Sequence, residues 1–460
     1  MSGPRGRPSA RRLAPAIGAL LAALAAVPPA SAHGGGLGAA ARSSLTIPTW
    51  LVVLTGGAAV GASFLLASFV TDYALIRAID GWRARLPDPG RVAVLLGRLV
   101  GLGGLGVVLL VGVIDPGPGT NLAVLLVWVG WWAGYTGSVY LVGNTWPVLN
   151  PWRTLAGLLP SLDRAYPERL GAWPAVVALL ALVWVEVASP VASDAALLAT
   201  LVAAYTLLTL AGAAVLGAEA WFAHVDPVAR VFRAYGRVAP VAREGGRLRL
   251  RLPGAGLTGE AGGAADVAFV VALLWVTTFD GLVATPAWRR FAGLAVGAGL
   301  PPAVLYPLGL VAGLVAFLGV YRGAARWARR TAGTYRSAEA LAVVFAPSLL
   351  AIAAGYHLAH YLGYFLTLAP ALATAATRPL VGLTSAPTLA LPPWFEFVGM
   401  AAVLAGHLLA IWVAHARAYE LFPGRRQAVR SQYPLVGVMV FYTLTSLWII
   451  AQPEVPVPYT

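Results

Sequence analysis

The sequence predicts an all-α fold: a polytopic integral membrane helical bundle of about ten transmembrane helices that follow a cleaved signal peptide. Three observations predict it. The chain has 460 residues, of which 59% are hydrophobic and only 11% are charged. Apolar runs of about 20 residues, the length that crosses the hydrocarbon core of a bilayer, recur along the whole chain. Arginines collect between these runs, and this distribution is typical of the connections in membrane proteins.

The first 32 residues have the three parts of a secretory signal peptide. Arginines at positions 5, 7, 11 and 12 precede an apolar stretch at 13–27, and Ala30-Ser31-Ala32 forms the cleavage site. We therefore divide the chain into a signal peptide, residues 1–32, and one transmembrane helical-bundle domain, residues 33–460. The alternative is that the first apolar stretch remains as an uncleaved membrane helix.

Cleavage after Ala32 would make His33 the mature N-terminus. An N-terminal histidine offers its α-amine and its imidazole to the same metal ion, and such a chelate favours copper. The alternative is a tail that only happens to begin with histidine.

Ten apolar spans follow, and the arginine content of their connections alternates. Five connections are basic (71–91, 143–172, 217–264, 322–340 and 419–433), whereas 115–120 and 192–194 contain no arginine. The basic connections are expected on the cytoplasmic side, which places the protein in the plasma membrane with both its N-terminus and its C-terminus outside. The predicted spans are Trp50–Val70, Val92–Ile114, Leu122–Val142, Trp173–Val191, Ala195–Leu216, Ala265–Ala284, Ala303–Tyr321, Leu341–Leu368, Pro393–Ala418 and Pro434–Ile450.

Composition also limits the partners. The net charge is +14, and all 32 basic residues are arginine. A basic balance occurs in nucleic-acid-binding proteins, but these arginines lie mostly in connections between apolar spans, so we predict no nucleic-acid partner. The predicted partners are the lipid bilayer and a small-molecule substrate. Cysteine is absent, which excludes disulfides, thiolate ligands and thiol nucleophiles.

Four of the six histidines lie on the eighth and ninth spans. An ionisable side chain in a lipid-spanning helix is costly and therefore predicts a functional site. His357 and His360 are three residues apart, so they share a helix face. At about 1.5 Å of rise per residue, His407 reaches a similar depth if the two helices pack side by side. His415 is about two turns deeper, and we do not expect it to join them.

Two carboxylates, Glu186 and Asp280, are predicted near the outer ends of the fourth and sixth spans. A site of His357, His360 and His407 with a carboxylate nearby suits a divalent metal ion, zinc or copper, with an open position for water. Asp280 or Glu186 would then act as the catalytic base or as a further ligand. The alternative is that these polar groups only hold helices together.

The same residues permit two other functions. His407 with His357 or His360 has the spacing to ligate haem b from both faces, which together with His33 predicts a copper- or haem-binding membrane redox or metal-handling protein. Buried carboxylates and histidines also relay protons in transporters. The sequence thus leaves three functions: a metal-dependent hydrolase of ester or phosphotriester substrates, a redox or metal-handling protein, and a proton-coupled transporter.

Short motifs spread along the chain carry a family resemblance. They are His33-Gly34, Asn150-Pro151-Trp152-Arg153, Tyr166-Pro167-Glu168-Arg169-Leu170-Gly171, Trp184 with Glu186, Asp226-Pro227, Phe279-Asp280-Gly281, His360-Tyr361, Gly406-His407, Ala414-His415 and Ser431-Gln432-Tyr433-Pro434. Through these residues the chain resembles a family of polytopic membrane proteins named fenitrothion hydrolase. The resemblance implies a membrane-bound hydrolase of organophosphate triesters, and it assigns a role to no individual residue.

Overall fold

The computed structural model describes residues 48–114, 121–259, 261–378, 380, 383 and 385–459. The predicted signal peptide and His33 lie outside the described residues. The described chain forms a helical bundle, as predicted. Its helices are α1 (Thr49–Ser68), α2 (Tyr73–Gly81), α3 (Arg91–Ile114), α4 (Leu122–Leu141), α5 (Trp146–Leu149), α6 (Pro151–Ala156), α7 (Trp173–Ala188), α8 (Ala195–Leu216), α9 (Ala218–His224), α10 (Pro227–Gly236), α11 (Ala264–Val283), α12 (Pro286–Gly297), α13 (Pro302–Ala332), α14 (Ala338–Phe345), α15 (Leu349–Thr377), α16 (Glu396–Leu421) and α17 (Arg425–Ile450).

Nine helical segments in the described part of the chain are long and apolar enough to cross a membrane. They are α1, α3, α4, α8, α11, α13, the α14–α15 segment Ala338–Thr377, α16 and α17. Their order follows the spans expected from the sequence, with one exception.

The exception is the fourth predicted span, Trp173–Val191. Helix α7 has only 16 residues and ends at Ala188, which gives it a length of about 24 Å against about 30 Å for the hydrocarbon core of a bilayer. Ser189 is extended, and Pro190 begins a separate 3-10 turn. Proline has no N–H for the α-helical ladder, so the helix stops before the predicted boundary. In the described residues, nine rather than ten segments therefore have the length of a full span.

Helix α11 is the centre of the bundle. Every residue of the segment 267–281 is buried, whereas α3 buries only Val108, Val111 and Gly112. Helix α11 packs against α7, α13 and α15. The threonines of α11 donate to carbonyl oxygens of their own helix, but a carboxylate there needs donors from these neighbouring helices.

Helix α4 contains a π-helical segment of ten residues, Leu126–Tyr135. Most π-helical turns are single-turn insertions, and they frequently occur at functional sites. The segment packs on α15 and brings the Trp132 ring to the rings of His357 and Tyr361, with centroids 5.5 and 6.1 Å apart. The sequence analysis predicted a helix here but not its π-helical part.

Helices α15 and α16 approach each other most closely at a pair of glycines. A Cβ on Gly355 would lie 2.6 Å from the carbonyl oxygen of Ala402 and 3.0 Å from the Cα of Gly406. A Cβ on Gly406 would lie 2.5 Å from the carbonyl oxygen of Ala351. Small residues at a helix interface permit this backbone contact, and the contact fixes which face of each helix is turned to the other.

Gly355→Ala is expected to destabilise the bundle by about 1–3 kcal/mol, because the added methyl group overpacks a contact made by backbone atoms. Gly363→Ala on the same helix is the matched control, since its Cβ would meet only side chains, at 3.5 Å or more. The free energy of unfolding of this control variant should rise by up to about 1 kcal/mol, because alanine has a higher helix propensity than glycine. Thermal unfolding of the purified protein in detergent measures both, and equal midpoints would contradict the close packing of α15 on α16.

The fold departs from the predicted all-α class in one small sheet. Strands β1 (Arg83–Arg85), β2 (Val241–Glu244) and β3 (Arg247–Arg251) are antiparallel in the order β1-β3-β2. Gly245 and Gly246 have φ of 57° and 77°, as the tight turn of a two-residue hairpin requires. Pairing of β1 with β3 joins the basic connections 71–91 and 217–264 at one end of the bundle.

Candidate functional site

Asp280 is the centre of a buried polar cluster between α11 and α15. Its Oδ2 accepts a hydrogen bond of 2.7 Å from the Tyr361 hydroxyl and lies 3.2 Å from Nε2 of His360. The side chains of Asp280 and His360 are each only 8% exposed. Removing a carboxylate from water is costly unless donors surround it, and here two consecutive residues of α15 supply them.

Glu186 on α7 is the second acid of the cluster. Because α7 packs against α11, Glu186 lies close enough to Asp280 for the two charges to repel each other. Its charge also acts on Tyr361. Neighbouring carboxylates in apolar surroundings favour sharing one proton. The structure thus brings together the two acids that the sequence placed on the fourth and sixth spans, and we call Glu186, Asp280, His360 and Tyr361 the polar cluster.

His357 lies beside the polar cluster and is fully buried. Its Nδ1 is 3.1 Å from the Tyr140 hydroxyl, and its ring centroid is 4.6 Å from that of Tyr361. Trp132 and Tyr235 pack edge-on against the same imidazole. The imidazole therefore belongs to an aromatic layer that supports Tyr361, and a single helix carries both His357 and His360, as predicted.

His407 is also fully buried, but its hydrogen bond lies within its own helix. Its Nδ1–H donates to the carbonyl oxygen of Val403 at 2.8 Å, and its Nε2 has no hydrogen-bond partner among the described residues. His415 is placed apart from the cluster, as expected: its two ring nitrogens are 3.3 Å from Gln432 Oε1 and 2.9 Å from the Val70 carbonyl oxygen.

This arrangement of histidines and acids bears directly on the predicted metal site. The described chain contains no group of three or more histidine, aspartate or glutamate side chains that can hold a metal ion. Val403 orients His407 in the way a metal-ligating histidine is oriented by a carbonyl oxygen, yet no second and third ligand accompany it. The described residues thus do not assemble His357, His360 and His407 as the three-histidine ligand set that the zinc or copper prediction requires. His33, the predicted outer ligand, lies outside the described part.

An apolar cavity of about 480 Å³ adjoins the polar cluster. Helices α3, α4, α7, α8 and α10 surround it, and its lining is mostly aliphatic and aromatic. Glu186 is part of the wall, as is Trp132, whose ring contacts His357 and Tyr361. The volume lies in the range of small-molecule pockets, about 300–1,000 Å³. A carboxylate therefore faces an apolar space large enough for an organic ligand.

Three features of this site were not predicted from the sequence. They are the hydrogen bond from Tyr361 to Asp280, the hydrogen bond between Tyr140 and His357, and the cavity itself. Tyr361 follows His360 and lies four residues after His357, one turn along the same helix. That spacing was the available signal, but tyrosine is also common in helix cores.

Comparison with known proteins adds no assignment. No protein-family model, no curated protein and no solved structure matches this chain. The function is therefore inferred from the geometry of the polar cluster and the cavity.

Proposed function

We propose that this protein is a membrane-embedded hydrolase of apolar ester or phosphotriester substrates, with Glu186 as the catalytic base. One observation carries the proposal: the wall of an apolar cavity contains a carboxylate that is backed by a second, hydrogen-bonded carboxylate. Large apolar pockets with a few convergent polar groups are where ligand sites are found. The phosphotriester part of the substrate class comes from the resemblance to the fenitrothion hydrolase family, several of whose motif residues are members of the polar cluster.

The chemistry assigns separate roles to the two acids. Glu186 removes a proton from a water molecule in the cavity, the water oxygen forms a bond to the phosphorus or carbonyl carbon of the substrate, and the bond to the leaving oxygen breaks. The two acids share one proton, and with that proton on Asp280 the Glu186 carboxylate is ionised and can accept the proton of water. Tyr361 holds Asp280 in place by donating to its Oδ2, and Nε2 of His360 lies 3.2 Å from the same oxygen.

The location is part of the same proposal. We infer that the nine long apolar helices, together with the shorter α7, cross the plasma membrane after a signal peptide is removed, with both mature termini outside. The surface of α3 supports this: Val92, Leu95, Leu96, Leu99 and Val100 are each more than half exposed. Such a surface is costly in water and favourable in lipid. An apolar substrate would then reach the cavity from the bilayer.

The test is hydrolysis by the purified full-length protein in lipid nanodiscs. p-Nitrophenyl esters and aryl phosphotriesters of increasing chain length are offered, and release of the phenolate is followed by absorbance. We expect turnover above that of empty nanodiscs, with kcat/KM rising with the apolar chain length of the substrate. An absence of turnover in both substrate series would overturn the proposal.

A second candidate is a proton-coupled transporter, and one observation favours it. Tyr140, His357, Tyr361 and Asp280 follow one another through hydrogen bonds and a ring contact across the bundle. Chains of titratable groups inside a membrane relay protons. The same preparation in liposomes with an enclosed pH-sensitive dye separates the two functions: proton entry without hydrolysis supports the transporter, and hydrolysis without proton entry supports the enzyme.

A further inference from the structure

One face of the three-stranded sheet consists largely of arginine. In β3, Arg247, Arg249 and Arg251 alternate with leucine, so their side chains lie on one side of the strand. The strand register places Arg83 opposite Arg251 and Arg85 opposite Arg249. Residues opposite each other in an antiparallel pair share a face. Five arginines from two strands therefore point to the same side of the sheet.

At one end of this arginine face, the charges of Arg83 and Arg251 are neutralised. Glu244 accepts hydrogen bonds from Arg251 at 2.9 Å and from Arg83 at 3.0 Å. Arg251 also donates to the carbonyl oxygens of Gly236, the last residue of α10, and of Ala239. Its side chain is only 7% exposed. This end is a folded, charge-balanced structural contact and has no capacity for another anion.

The other three arginines have no such balance, because Glu244, although opposite Arg247 in the strand register, uses its carboxylate for Arg251 and Arg83. Arg85, Arg247 and Arg249 form no salt bridge with any other described residue, and the Nε of Arg249 is buried without a hydrogen-bond partner in that part of the chain. Arg85 and Arg247 are exposed. Like charges directly opposite each other destabilise an antiparallel pair, and a buried donor without a partner costs free energy. An anion between these three side chains would remove both penalties.

We propose that the arginine cluster Arg85, Arg247 and Arg249 binds the phosphate of an anionic phospholipid. Guanidinium groups match phosphate oxygens in a bidentate geometry, and basic clusters beside a bilayer attract anionic headgroups.

The neighbourhood indicates lipid rather than another phosphate. Trp82, immediately before β1, is 47% exposed, and α3 begins six residues after Arg85 with Val92 71% exposed. An exposed tryptophan beside an apolar helix surface is typical of a membrane–water interface. The inference rests on the proposed insertion into a bilayer and is independent of the proposed hydrolysis.

The test measures binding of fluorescent phosphatidylglycerol to the full-length protein in neutral detergent, with phosphatidylcholine as the reference lipid. Removing one arginine beside a phosphate is expected to weaken binding roughly fivefold, so Arg85→Gln and Arg249→Gln should each show that loss. Arg329→Gln is the matched control, because it removes an exposed arginine from the last turn of α13. It should bind phosphatidylglycerol as the wild type does.

Thermal unfolding in nanodiscs shows whether a loss of lipid binding is caused by misfolding of the variant. In phosphatidylcholine alone, Arg249→Gln should unfold at the wild-type temperature or higher, because it relieves repulsion from Arg85. With phosphatidylglycerol present, the wild type should gain stability and the variant should not.

Equal lipid affinity of Arg249→Gln and Arg329→Gln would overturn the proposal. Equal stabilisation by inorganic phosphate alone would also overturn it, because free phosphate would then be the ligand. Retained hydrolysis in a variant that has lost phosphatidylglycerol binding separates this site from the catalytic one.

Discussion

Glu186→Gln is expected to lower kcat for ester or phosphotriester hydrolysis by about 100- to 10,000-fold, the usual contribution of a positioned general base. Glutamine keeps the size and shape of glutamate, so the cavity wall and the packing of α7 on α11 remain. Its amide does not accept the proton that water must lose. KM should change little, because an apolar substrate is bound by the aliphatic and aromatic lining. Steady-state kinetics on the best chromogenic substrate measures both constants.

Glu396→Gln is the matched control for the loss of one carboxylate. Glu396 lies in the first turn of α16 and is not part of the cavity wall, so kcat should equal that of the wild type. If Glu186→Gln retains wild-type kcat, Glu186 is not the base. If both variants lose activity equally, the loss comes from a general effect of charge on the bundle. That result would also contradict the role of Glu186 as catalytic base.

Gly104→Phe is expected to raise KM at least about tenfold, a loss of about 1.4 kcal/mol in substrate binding. Gly104 lines the cavity, and a Cβ at this position would meet no atom within 4 Å. The phenyl group therefore enters the cavity without displacing the backbone and occupies space that the substrate needs. Phenylalanine also has a higher helix propensity than glycine, so a loss of function should not come with a loss of folding.

Gly103→Phe controls for the added ring. A Cβ on Gly103 also meets nothing within 4 Å, but this residue is exposed on the surface of α3. Its KM should match that of the wild type. Thermal unfolding midpoints for both variants should be equal to or above the wild-type value. A normal KM for Gly104→Phe, in a protein that folds, would show that substrate does not occupy the cavity.

The position of residues along the bundle was predictable from the sequence. Rise per residue is constant in an α-helix, so apolar runs and arginine positions gave the order of the helices and the approximate depth of each polar group. From these depths we expected Glu186 and Asp280 in the same layer of the bundle and His415 apart from the other histidines. The helix ends were less predictable: α7 ends early at Ser189 and Pro190, inside an apolar run that continues to Val191.

Rotation about each helix axis was not predictable, because it depends on which side chains pack against which neighbours. The contact between Gly355 and Gly406 sets how α15 and α16 face each other, and with that rotation His407 bonds to Val403 of its own helix. Equal depth had grouped His407 with His357 and His360, but the described residues contain no group of three such side chains that could hold a metal ion.

Hydrophobicity and helical rise are local properties, so the sequence was sufficient to predict a bundle of long apolar helices with acids and imidazoles at defined heights. Three features are visible only in the folded structure: Tyr361 and His360 lie against Asp280, Glu186 borders a cavity, and two basic connections join in an arginine-faced sheet. These are contacts between segments up to about 170 residues apart along the chain, and they depend on helix rotation and strand register, which no local pattern specifies.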